Sequence, residues 1–281
     1  MINGSTKLIC LIGQPVEHSF SPSIHNTLFE KYDINSKYIC FDVDKDCLKE
    51  AVNSIKALKI KGSNVTVPHK VDIMEYLDEI DINAKLIGAV NTIKNDNGKL
   101  IGYNTDGIGF VNSVIGKGYK IQDKNVMILG AGGAARSIAV EIANNNAKSI
   151  EIRNRTLDKA ESIAITINEN FKSIVKIGDI NITKEDLENI DILINTTSLG
   201  MSPHIDKIPI DDTINIDKDI LVCDIVYNPK ETRFLKWAKE NNLNTLGGID
   251  MLINQALEAF YIWTEVKPDR ECLYEVEQLR F

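Results

Sequence analysis

The chain has 281 residues with 32 basic and 40 acidic side chains, a net charge of −8, and no basic tract offsets that excess, which argues against nucleic-acid binding. Hydrophobic residues at 43% and charged residues at 26% describe a globular protein long enough for one large or two medium domains. No charged-then-apolar leader opens the chain and no apolar run approaches a membrane span, so a cytoplasmic protein with no membrane partner is expected.

Strand-like and helix-like patterns alternate from end to end, which predicts an α/β fold with largely parallel sheets. Strands are expected at 7–12, 37–43, 62–67 and 89–95; Asn97-Gly98 then turns the chain into 99–104 as a hairpin. Amphipathic segments near 22–32, 46–59 and 78–86 fill the spaces between them. A helix at 106–117 leads into a second series of strands at 125–129, 149–153, 173–177, 191–195 and 220–226, and two helical stretches, about 249–264 and 268–280, close the chain. Two domains are expected: 1–105 joined by 248–281, and 106–247. Cys10, Cys40 and Cys223 lie in β-type apolar runs without CxxC spacing and read as reduced core thiols.

The stretch "VMILGAGGAARSIAVEIA" places Gly130, Gly132 and Ala135 as G-x-G-x-x-A between an apolar strand and a helix. The first glycine permits the tight turn, the second lets backbone approach a pyrophosphate, and a small third residue lets helix and strand pack closely. Where NAD-binding relatives of this turn carry an acidic residue, the chain has Arg153, Asn154, Arg155, Thr156 and Lys159. Cations there favour a 2′-phosphate, hence NADP over NAD. Asp158 comes one turn too late to accept from a ribose.

Four polar clusters in the first half, 18–26, 64–70, 88–92 and 102–109, fall at or just past the C-terminal ends of expected strands, where open α/β sheets bind ligands. They pool Ser19, Ser21, Asn64, Thr66, Lys70, Asn91 and Asp106, a set rich in hydroxyl and amide groups that suits a small polyol acid. A metal is not expected: His18 and His25 are seven apart with no HxxxH or cysteine partner. A serine nucleophile is disfavoured too, since no G-x-S-x-G elbow exists. Ser21-Pro22 reads as a helix start with Ser21 as N-cap, and the two histidines read as loop structure. In a ketone reduction, a lysine beside the oxygen stabilises the developing charge and delivers the proton, and a nearby carboxylate orients it. Oxidation in the reverse direction should then quicken as pH rises.

These stretches, "GQPVEHSFSPSIHN", "NVTVPHK", "GAVNT", "GYNTDGIG", "GAGGAARS", "NRT", "NTTSLGM", "DIVYNPKET" and "GGIDMLINQA", occur in an order that resembles the shikimate dehydrogenase family across nearly the whole chain. The resemblance implies an N-terminal α/β substrate domain, a Rossmann-type doubly wound NADP domain, and C-terminal helices returning to the first. It implies reversible reduction of 3-dehydroshikimate to shikimate in aromatic amino-acid biosynthesis. It assigns Ser19 and Ser21 to the substrate carboxylate with Tyr227 nearby. Thr66, Lys70, Asn91, Asp106 and Gln255 go to the ring hydroxyls, with Lys70 and Asp106 as the catalytic pair. Gly130, Ala131, Gly132, Gly133 and Ala134, with Asn154, Arg155, Thr156 and Lys159, would hold the cofactor, and Thr196 and Met251 would lie along its nicotinamide side. His69 and Asp250 depart from the family pattern: His69 is expected to adjust the neighbouring lysine, and Asp250 leaves the packing of the domain-crossing helix open. A quinate/shikimate dehydrogenase using NAD and a non-catalytic ligand-sensing relative stay as alternatives, and the oligomer, monomer or homodimer, is undecided.

Overall fold

A computed structural model describes residues 2–269 and Cys272. The first elements are β1 (Lys7–Gly13), α1 (Ser21–Lys31), β2 (Ser36–Asp42), α2 (Leu48–Ala57), β3 (Gly62–Val65), β4 (Glu79–Ile80), α3 (Ile82–Ile87), β5 (Thr92–Asp96) and β6 (Lys99–Tyr103). They form one sheet in the order β2-β1-β3-β5-β6-β4. β1 pairs in parallel with β2 and β3, but β5 runs antiparallel to both β3 and β6. The sheet is therefore mixed, not largely parallel. The hairpin behind this is the expected one: Asn97 and Gly98 have φ of 52° and 98°, the two left-handed residues a type I′ turn requires, and they set Asp96 opposite Lys99.

The segment expected to be helical from 78 instead spends Glu79–Ile80 in the edge strand β4. α3 starts only at Ile82, because the Asp81 side chain accepts from Asn83 N at 2.9 Å and caps it there. The period-3.6 face of α2 (Leu48, Val52, Ile55) buries against Cys10 and Ile12 of β1 and Ile93 and Leu100 of the hairpin. Burial raises the Cys10 thiol to about 11. Cys40, expected in the core, is only half-buried, because β2 is an edge strand of its sheet.

The chain continues through α4 (Asp106–Gly116), β7 (Asn125–Leu129), α5 (Gly133–Asn144), β8 (Ser149–Arg153), α6 (Leu157–Asn170), β9 (Ile174–Gly178), α7 (Lys184–Leu187), β10 (Ile192–Asn195), β11 (Leu221–Asp224), α8 (Arg233–Glu240), β12 (Asn244–Leu246) and α9 (Gly248–Thr264). Every pairing in the second sheet is parallel, in the order β12-β11-β10-β7-β8-β9. This is the doubly wound arrangement, with its topological switch between β7 and β10. β10 and β11 are buried at every residue, as strands covered on both faces must be. Gly107 lets α4 lie directly on α5, since a Cβ there would fall 2.2 Å from Ser137 O.

Two compact units result, Met1–Thr105 with Gln255–Phe281, and Asp106–Asn254. The second division falls inside α9, after Asn254, and not ahead of that helix at 247/248. Asp250, in the first turn of α9, pairs with Lys117 at 3.4 Å, which is where a carboxylate suits a helix. The helix expected over 268–280 lies almost wholly outside the described residues. No helix among the described residues is long and apolar enough to cross a membrane.

Within the first unit, Trp263 Nε1 of α9 donates to Ile93 O at 2.9 Å, and an added Cβ at Gly62 would lie 2.3 Å from that nitrogen. Gly62→Ala should therefore lower unfolding stability by about 1–3 kcal/mol, the cost of overpacking. Denaturant unfolding measures this, and a change within experimental error would show that α9 yields at no cost.

Candidate active site

The serine-rich stretch forms the entry to α1. Phe20 already has helical φ/ψ (−82°, −11°) and stands in the cap position without a side-chain hydrogen bond, so Ser21 is the first helical residue and not the N-cap. Its N–H is met instead by Ser19 Oγ at 3.3 Å, and Pro22 has no N–H to satisfy. His18 is exposed in the preceding loop. His25 is not loop structure: it lies on α1, fully buried, its ring stacked on Tyr38 with centroids 4.6 Å apart. Burial pushes its pKa down to about 3, which keeps the imidazole neutral.

Thr66 and Lys70 follow β3. Thr66 N donates to Ile12 O at 2.9 Å and Gln14 N to Val67 O at 2.9 Å, so the loops after β1 and β3 are bonded together. The Lys70 carbonyl accepts from Val90 N at 2.7 Å, seating the lysine's backbone beside the 88–92 cluster. His69 is sealed under this loop with Nε2 2.7 Å from Val43 O, an anchor to the end of β2.

The amide-rich part of the site is a single hydrogen-bonded array in the first unit. Asn64 Nδ2 donates to Asn91 O (3.2 Å) and Thr92 Oγ1 (3.0 Å). Asn91 Oδ1 accepts from Thr105 N (2.8 Å) and Thr92 Oγ1 (2.9 Å). The Thr105 hydroxyl lies 3.4 Å from Gln255 Oε1. Asn91 falls inside the strand expected over 89–95, in a cluster expected at or just past a strand end; it precedes β5 (Thr92–Asp96), and antiparallel pairing brings that start to the edge where β3 and β6 end. Thr92 and Thr105 were not singled out from the sequence, although both stand inside quoted clusters. Asp106 is the next residue along the chain and the first of α4, in the second unit.

In the second unit, Gly130 has φ of 108°, and a Cβ there would lie 2.6 Å from Thr196 Oγ1. Only glycine fits. At Gly132 and Gly133 a Cβ would meet nothing within 4 Å, so backbone is open to a ligand at the start of α5, whose N-terminus has no side-chain cap. Ala131 and Ala134 are half-buried around this turn, and Ala135 is fully buried in the core. These features fit a dinucleotide pyrophosphate. Thr196 sits at the switch point, its N and Oγ1 both donating to Leu129 O at 2.9 and 2.7 Å. Met251 packs on the same unit's core.

Past β8, the basic residues divide. Arg153 is held by Glu151 at 2.6 Å and Asp186 at 2.5 Å and is a structural cation. Arg155, Thr156 and Lys159 are exposed, and Asn154 Nδ2 donates to Thr156 O at 2.7 Å to shape the loop. Arg155 and Lys159 form no ion pair among the described residues.

Two further side chains, not foreseen, tie the loops after β10 and β11. Buried Asn195 accepts from Thr197 N (3.0 Å) and donates to Asp224 Oδ1 (3.0 Å). Asp224 also accepts from Val226 N (3.0 Å) and the Thr232 hydroxyl (2.6 Å), and Tyr227 is one of several exposed residues of that second loop. Burial raises the Asp224 carboxyl to about 6, against the pull of those three donors.

A parallel 3-2-1-4-5-6 sheet with a glycine turn after its first strand, in one chain with a mixed α/β unit bearing a polar amide array, defines a two-unit protein of the dinucleotide-binding dehydrogenase class. The profile of the shikimate dehydrogenase substrate-binding domain matches residues 11–93, that of shikimate/quinate 5-dehydrogenase residues 113–233, and that of the shikimate 5′-dehydrogenase C-terminal domain residues 248–276. A protein of Methanococcus aeolicus named shikimate dehydrogenase (NADP(+)) is 50% identical over 272 residues, covering 96% of each chain. A crystal structure of a shikimate dehydrogenase in complex with NADP+ superposes with a TM-score of 0.91 at 48% identity, covering 98% of this chain and 96% of the other. The shikimate 5-dehydrogenase of Listeria monocytogenes in complex with shikimate and NAD gives 0.93 at 35% identity, with 98% of both chains covered. The chain belongs to the shikimate dehydrogenase family.

The raised Asp224 carboxyl carries a pH signature. Between its ordinary value of 3.8 and about 6 the folded state holds the proton more tightly than the unfolded chain. Its contribution, roughly 3 kcal/mol, is present below the lower value and lost as pH rises through the upper one. Asp224→Asn, which does not titrate, should gain stability relative to the unaltered protein as pH goes from 4 to 7. Thermal melts across that range check this; a pH-independent difference would refute it.

Proposed function

We propose that the protein catalyses the reversible, NADP-dependent reduction of 3-dehydroshikimate to shikimate, in aromatic amino-acid biosynthesis. The observation that carries this is the buried Asn64–Thr92–Asn91–Thr105 array, reaching Gln255 and bonded through Val90 to the Lys70 backbone. It is a surface of directional donors and acceptors matched to a ring bearing several hydroxyls, with a lysine at its margin.

In this reading Ser19 and Ser21 hold the substrate carboxylate with Tyr227, and Asn64, Thr66, Lys70, Asn91, Asp106 and Gln255 orient the ring hydroxyls. Bound NADPH supplies the hydride. Lys70 stabilises the charge that develops on the ketone oxygen and donates the proton to it, while Asp106 orients the lysine. Gly130, Ala131, Gly132, Gly133 and Ala134 offer backbone to the pyrophosphate. Arg155 and Lys159, with Asn154 and Thr156, take the 2′-phosphate, and Thr196 and Met251 flank the nicotinamide. The reading includes a cytoplasmic location, since the five cysteines are unpaired thiols, and a monomer or homodimer.

The competing reading, NAD with shikimate or quinate, draws on the Listeria complex with shikimate and NAD. Steady-state kinetics with both acids and both cofactors separates them: NADP+ with shikimate should give the highest kcat/KM, and quinate turned over equally well, or NAD+ preferred, sinks the assignment. Arg155→Ala should raise KM for NADP+ about tenfold, the worth of one charge-assisted contact, and leave KM for NAD+ unchanged. Lys70→Ala should cut turnover at least about 10²-fold while shikimate still binds. Unaltered turnover removes Lys70 from the chemistry.

A further inference from the structure

Asn64 can serve a ligand only if its amide is held in one orientation, and the holding group is a residue with no role so far. Both N–H bonds of Asn64 are directed at Asn91 O and Thr92 Oγ1. Its Oδ1 therefore faces the opposite way, where the Tyr38 hydroxyl donates to it at 2.8 Å. The phenol has one proton, and this contact uses it.

Tyr38 is itself firmly set. It is 2% exposed, on β2, with its ring against His25. Its backbone is clamped from α1: Tyr38 N donates to Asn26 Oδ1 at 2.9 Å, and Asn26 Nδ2 donates to Tyr38 O at 3.0 Å. Asn26 Nδ2 also reaches Pro22 O at 2.8 Å, one turn from the helix start that carries Ser21. Burial raises the phenol's pKa well above its ordinary value, so it remains a neutral donor. The serine-bearing start of α1 and the amide of β3 are thus joined by a continuous path, Asn26 to Tyr38 to Asn64.

We infer that Tyr38 is a positioning residue for substrate recognition: through its bond to Asn64 Oδ1 it fixes that amide, and with it the spacing between the carboxylate-binding helix start and the hydroxyl-binding array. The inference rests on the function proposed above. It predicts an effect on one substrate only, because Tyr38, Asn26 and Asn64 all belong to the first unit.

Tyr38→Phe keeps the ring and its stacking and removes only the hydroxyl. In steady-state oxidation of shikimate by NADP+, the variant should raise KM for shikimate roughly 3- to 10-fold, the range of one buried hydrogen bond. KM for NADP+ should stay within about twofold and kcat within about threefold, well under one hydrogen bond's worth of transition-state effect. In an Asn64→Ala background the same substitution should add nothing further to KM for shikimate, since the two changes remove one interaction. A merely structural tyrosine would lower the melting temperature and leave this pattern absent. An unchanged KM for shikimate, an equal rise for both substrates, or full additivity with Asn64→Ala overturns the inference alone. No shikimate turnover by the unaltered protein overturns the functional reading and the inference together.

Discussion

The antiparallel entry of β5 between β3 and β6 is the constraint on which the amide array of the first unit depends. Asn64 bonds to Thr92 because β5 runs back alongside β3. Thr105 N reaches Asn91 Oδ1 because β6 returns alongside β5. The reversal itself requires two successive left-handed residues, and Asn97-Gly98 meets that need at low steric cost. Removed from this pairing, the same polar residues would sit at opposite ends of their strands.

The array is rigid for a reason that bears on recognition. Buried amides and hydroxyls must be hydrogen-bonded, and here the partners are largely one another. Asn64, Thr92, Asn91 and Thr105 are each nearly or wholly buried, and each bonds to at least one other of the four. Such a group is preorganised: a ligand does not meet the entropy cost of ordering it. Tyr38 extends the same logic one layer deeper.

The second unit obeys a different constraint, close backbone approach. Gly130 is confined to glycine by its φ and by Thr196, while Gly132 and Gly133 leave open space where a phosphate group would lie. The charge beyond β8 is divided by geometry: Arg153 turns back to Glu151 and Asp186, and Arg155 and Lys159 do not. Asn195 and Asp224 then bind the two loops of the switch edge to each other, at the cost of burying a carboxyl whose pKa rises in consequence.

By itself the sequence determined the α/β class, the glycine turn, the hairpin and the identity of most polar clusters. These rest on local rules: a φ that only glycine accepts, a turn that Asn-Gly favours, apolar runs between them. The order of motifs carried the family. Tertiary structure alone decided that the first sheet is mixed, that Asn91 stands just ahead of a strand, that His25 is a sealed core residue, and that Arg153 is occupied. It also decided that Ser21 stands one position inside its helix and that α9 crosses the unit division midway. Apart from Ser21, whose place follows from the helical φ/ψ of its neighbour Phe20, each of these depends on which strand lies beside which, or on a partner distant in the chain. Tyr38 and Asn64 are 26 residues apart, and no local periodicity connects a phenol on an edge strand to an amide two strands away.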